Sequence, residues 1–131
     1  MMFFKKYVVV CILFVSPFIY AKQYEYTGSC RFTGYDDVFE ACLDQELAMH
    51  DKELNHLYHR FQKMSSYDKL KKIELLWIKF KEEDCKYMAR EVNGGKEYQS
   101  VYKACLINKT KARIRDFKRS YFDSDWFIRT M

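Results

Sequence analysis

Residues 85–105 read CKYMAREVNGGKEYQSVYKAC, with two glycines almost midway between two cysteines. Such a stretch can be a disulfide-closed turn, a metal site or a redox pair. No Cys-x-x-Cys occurs in the chain, so neither a zinc knuckle nor a thioredoxin-like pair is supported. Asn93-Gly94-Gly95 enters the left-handed backbone region at low cost, as a helix C-terminus often demands. Cys85 lies nine residues before Gly94, and Cys105 lies ten after Gly95. If helices run on both sides, a rise of about 1.5 Å per residue puts both cysteines roughly 14–15 Å from the turn. They are then level across a hairpin, where disulfide geometry can be met.

The start of the chain bears on the same choice. It reads MMFFKKYVVVCILFVSPFIYAKQ, with Lys5 and Lys6 ahead of an apolar run from Tyr7 to Ile19. That run suits a signal-peptide core and is short for a membrane span. Ala21 supplies a small residue for cleavage, so residues 1–21 are expected to be a signal peptide; an uncleaved anchor is the alternative. Periplasmic or secreted placement follows, with no stable membrane insertion after cleavage. About 110 residues remain, enough for one domain. Losing Lys5 and Lys6 lowers 23 basic residues to 21 against 18 acidic, a formal charge of +3. An exported chain with so mild an excess is not expected to bind nucleic acid. The lysines at 69, 71, 72, 79, 81 and 86 are expected to form a solvated helix face.

Beyond the leader the chain reads as helices. The only proline, Pro17, falls in the leader, and no alternating strand pattern persists. Apolar residues recur at helical spacing in three segments. The first carries Leu47, Leu54, Leu57, Tyr58 and Phe61; the second Leu70, Ile73, Leu76, Trp77, Phe80, Tyr87 and Met88; the third Tyr98, Val101, Tyr102, Cys105, Leu106 and Phe117. Asp37 with Glu40, and Ser65 with Asp68, suit helix starts. Helices are expected at about 37–64, 67–92 and 96–122. Their stripes must face one another to leave water, which predicts an all-α antiparallel bundle of three long helices. The division is then a signal peptide at 1–21, an N-terminal segment at 22–36, a helical domain at 37–122 and a tail at 123–131. Four cysteines remain after the leader, and an even number in a small exported chain reads as two disulfides. Of three possible pairings, the hairpin geometry favours Cys85–Cys105 and thus Cys30–Cys42.

Motifs for chemistry are sparse. Glu53-x-x-His56 is half of a bundle di-iron motif, and the second half is missing. His50, His56 and His59 are therefore read as ordinary side chains, with neither metal nor cofactor expected. Gly-x-Ser-x-Gly, His-Glu-x-x-His and a phosphate loop are all missing from the sequence. The expected role is binding, not catalysis.

An ordered set of residues resembles the lysozyme inhibitor LprI-like family. It comprises Cys30, Cys42, Asp51-x-x-Leu54-Asn55-x-x-Tyr58, Trp77 with Cys85 eight residues on, Gly94-Gly95, and Cys105-Leu106-x-x-x-Thr110-x-x-Arg113. The resemblance covers about residues 30–118. Two departures stand out: Glu74 where such proteins usually carry Gln, and Lys81-Glu82 where Arg-Asp is common. The tail has no counterpart, and Phe122, Trp126 and Phe127 are expected to pack on the bundle. The matching residues suit a structural network. Asp51, Asn55 and Tyr58 share a helix face and can bond across to Thr110 and Arg113, with an Asp51–Arg113 pair as the tie. Trp77 is expected at the centre of the core.

The resemblance implies a protein partner, a lysozyme or another enzyme that attacks the cell wall. A lysozyme cleft holds two carboxylates. The turn Asn93-Gly94-Gly95-Lys96 can offer it backbone amides and the Lys96 ammonium, unless it is a helix stop alone. The alternative reading is an envelope immunity protein that neutralises another antibacterial toxin.

Overall fold

The computed structural model describes residues 26–63 and 65–121. The leader and the aromatic tail lie outside the described residues. Asp36, not Asp37, opens the first helix, its carboxylate accepting from the Phe39 amide at 2.8 Å. This α1 runs Asp37–His59. It stops short of residue 64 because Phe61 turns inward to meet Phe117, with ring centroids 5.8 Å apart. Ser66 precedes α2, Tyr67–Met88, without a side-chain cap bond. A 3-10 turn, Arg90–Val92, follows the fully buried Ala89. Gly94 adopts φ +83, the left-handed backbone anticipated at the turn. The third helix, α3, spans Tyr98–Asp116 and passes into a π-helical turn, Phe117–Tyr121.

The fold is all-helical among the described residues, and α3 is its centre. One apolar cluster joins Leu54 and Leu57 of α1 and Leu70 of α2 to Ile114 and Phe117. A second sets Phe39 and Leu43 against Ile107. A third holds Cys85, Cys105 and Leu106. Helix α3 supplies members to each, so buried positions occupy much of its circumference. By contrast α1 and α2 lean on α3 more than on each other. They meet at Tyr58 and Tyr67, whose rings lie 5.3 Å apart, and leave a cleft between them.

Both disulfides pair as expected. Cys85–Cys105 joins α2 to α3 with 5.5 Å between Cα atoms, and Cys30–Cys42 ties the N-terminal segment to α1 at 5.9 Å. That segment is held further by Glu46, a buried carboxylate the apolar pattern did not single out. Glu46 accepts from the Tyr26 hydroxyl and from the Ser29 amide at 2.9 Å. Asn108 of α3 accepts from the Thr27 amide at 3.1 Å, and Lys111 donates to the Thr27 carbonyl at 2.7 Å. The strap therefore crosses from α1 to α3.

Candidate functional site

The cleft is built from the inner edge of α2. Cys85 is pinned to α3 by its disulfide, which fixes the rotation of the whole helix. Counting back by helical periods, Lys81, Trp77, Glu74 and Leu70 fall on the same side. Glu74 and Lys81 are each only 7% exposed, and Arg113 of α3 is 9% exposed. Arg113 donates through Nε to Glu74 at 2.9 Å and through a second nitrogen to the same oxygen. Its guanidinium also lies 5.8 Å from the Trp77 ring and 5.0 Å from Phe117. Lys81 sits 3.9 Å from Asp51 of α1 and 4.7 Å from the Trp77 ring.

Four side chains lie otherwise than the sequence predicts. The carboxylate paired with Arg113 is Glu74, not Asp51, because Glu74 faces α3 while Asp51 faces Lys81 across the cleft. Lys81 is no part of a solvated face; its stem lies on Trp77 and its charge meets Asp51. Trp77 is half-buried at the edge of the first cluster, since its ring is taken up by those two cations. Thr110 does not bond across either: its Oγ1 is buried with no hydrogen-bond partner among the described residues.

Asp51, Asn55, Tyr58 and Trp77 nevertheless come together, as lining of one cleft of about 530 Å³. Lys71, Glu74, Lys81 and Glu82 supply its charges, and Leu54, Leu75 and Ile78 its apolar wall. Burial, a hydrogen bond with Tyr67, and the negative charges of Glu74 and Asp68 push the Tyr58 hydroxyl up to about 12. It therefore stays neutral at any physiological pH. Arg113 and Thr110 lie below, on α3.

The turn Asn93–Lys96 is exposed throughout. Nothing lies within 4 Å of where a Gly94 side chain would begin. Lys96 has no partner among the described residues. The turn continues into an unexpected surface on α2. Ile73, Leu76, Phe80 and Tyr87, read from sequence as core, are 47, 69, 57 and 61% exposed. Arg90 stacks on Tyr87 at 4.0 Å beside the turn, and Lys109 reaches 5.3 Å from Phe80 while pairing with Asp84 at 2.6 Å. The apolar density of this stripe is high, but the cysteine sets the register, and it turns the stripe outward. That same count from Cys85 is the signal that finds Glu74 and Lys81.

His56 and His59 are exposed, and among the described residues no group of three His, Cys, Asp or Glu side chains is placed to hold a metal. No helix among the described residues is long and apolar enough to cross a membrane. A family model described as "Lysozyme inhibitor LprI" matches residues 34–117, a stretch that contains all three helices and Cys42, Cys85 and Cys105. No curated protein and no solved structure matches the chain. With well over half of its 131 residues covered, the chain belongs to the LprI lysozyme inhibitor family.

Proposed function

We infer that this protein is an exported inhibitor of a cell-wall muramidase, working in the periplasm or outside the cell by binding and not by catalysis. The family match over residues 34–117 carries the reading. The two disulfides support an oxidising compartment. The contact surface is the turn Asn93–Lys96 with the adjoining α2 stripe. The exposed Lys96 and the open backbone at Gly94 offer donors for the carboxylates of a lysozyme cleft, and Phe80 and Tyr87 supply the aromatic anchors that interfaces favour. The Cys85–Cys105 bridge stiffens the hairpin beneath, which lowers the ordering cost of binding.

The test is wall lysis by several lysozyme types with purified protein added. Slowed lysis is expected, and Lys96→Ala or Phe80→Ser should weaken inhibition roughly tenfold, the scale of losing one anchor. Lysis unchanged at a large molar excess for every lysozyme type would refute the reading and leave the immunity role in its place. Inhibition retained in both variants would remove this surface while keeping the function.

A further inference from the structure

We propose that the cleft between α1 and α2 is a binding site for a neutral saccharide. The proposal goes beyond the inhibitory reading and does not rest on it. At about 530 Å³ the cleft falls in the size range of small-ligand sites. Its charges balance, and the two innermost pairs are already made. Glu74 is paired with Arg113, Asp51 faces Lys81, and the remaining Glu82 and Lys71 oppose one another in sign. A charged ligand would find no net field, and at the inner wall it would have to break a pair. An apolar ligand would strip water from Asp51, Lys81 and Glu82 without replacing it, which is costly.

What the cleft offers instead is aromatic surface beside neutral hydrogen-bonding groups. Tyr58, Tyr67 and Trp77 present ring surface and edge. Asn55 is exposed on the rim, and no polar partner engages it among the described residues. Its amide both donates and accepts, as a hydroxyl does. The Tyr58 hydroxyl is held in its neutral form. A pyranose has the same two aspects: an apolar C–H face that packs on a ring, and an equator of hydroxyls that exchange hydrogen bonds. Neutral, amphiphilic and the size of a few rings, it matches both the aromatic surface and the Asn55 amide.

Trp77 reports occupancy directly, because the chain has two tryptophans and Trp126→Phe removes the other. Trp77 emission in that background is titrated with tri-N-acetylglucosamine, with maltotriose and with the anionic tri-galacturonate. A saturable change at millimolar concentration or below is expected with at least one neutral sugar, and none with the anion. Asn55→Ala, at an exposed position, should weaken binding roughly tenfold with an unchanged circular dichroism spectrum. Amide chemical shifts of the unsubstituted chain provide a second measurement, with changes expected at residues around the cleft. No response to either neutral sugar overturns the proposal. So do equal binding of the anion, shifts confined to other surfaces, or unchanged affinity in Asn55→Ala. Lysozyme inhibition is measured separately, and either result can stand without the other.

Discussion

Arg113→Met would remove the guanidinium beneath the cleft and leave the Glu74 carboxylate buried without its cation. Both partners are more than nine-tenths buried, so solvent screens the pair little. Breaking such a pair from one side costs about 3–5 kcal/mol, most of it the stranded charge. Glu74→Leu should cost a comparable amount. Glu74→Gln keeps an acceptor oxygen and should cost less, about 1–2 kcal/mol. The double variant Glu74→Leu/Arg113→Met strands nothing and fills the site with apolar atoms of similar volume. It should recover most of the loss, giving a coupling of at least about 2 kcal/mol. Equilibrium urea unfolding followed by circular dichroism, with disulfides intact, measures the parent and the four variants. With a slope near 1 kcal/mol per molar urea for a small domain, Arg113→Met and Glu74→Leu should each lower the midpoint by about 3–5 M or be unfolded at the outset, and Glu74→Gln by about 1–2 M. Single losses that add within about 0.5 kcal/mol would mean that the pair is not coupled, and the account of the cleft floor would fail.

Replacing Cys85 and Cys105 by alanine should cost about 3 kcal/mol, and replacing Cys30 and Cys42 about 0.5 kcal/mol less, since the bridges close 20 and 12 residues; the reverse order in urea unfolding would contradict the loop-closure argument. Thr110→Val discards a buried hydroxyl that has no partner and should leave stability unchanged or raise it by about 1 kcal/mol, so a clear loss in thermal unfolding would expose a missing bond. Burial opposes charge on Glu46, but hydrogen bonds from Tyr26 and the Ser29 amide, with His50 nearby, hold its carboxyl below the usual range. Its stabilisation is therefore present above the unfolded value of about 4.3 and lost as pH falls through the lower folded value. Glu46→Gln should cost about 1–3 kcal/mol at neutral pH and flatten the acid limb of a melting profile; an acid limb as steep as the parent's would refute this.

The hairpin was the most legible part of the sequence. Its two cysteines are level because helical rise is constant, and the glycines mark the bend whatever lies around them. Helix existence was legible for the same reason, while ends shifted where tertiary packing intervened, as when Phe61 turned toward Phe117. The orientation of α2 was not legible from apolar density. Glu74, Lys81 and Arg113 are buried because each finds an opposite charge, and pairing between distant positions leaves no periodic trace. Ile73, Leu76, Phe80 and Tyr87 form a convincing stripe, yet they lie to one side of the direction that Cys85 dictates. The residues shared with the family pattern were found, but their arrangement around a cleft follows from α1 and α2 packing on α3 more than on each other.

Because both other helices rest on α3, the order in which the chain emerges has a mechanical meaning. Chains emerge from the N-terminus, and α3 is the last of the three α-helices among the described residues to appear. Cys30 and Cys42 are neighbours in the chain and can join as soon as both reach an oxidising compartment, before α3 has docked. Cys85 must wait for Cys105, and until then Leu54, Leu57 and Leu70 have no third helix to cover them. Closure of the second bridge therefore records the arrival of α3, so a shift in gel mobility under non-reducing conditions can time the completion of folding.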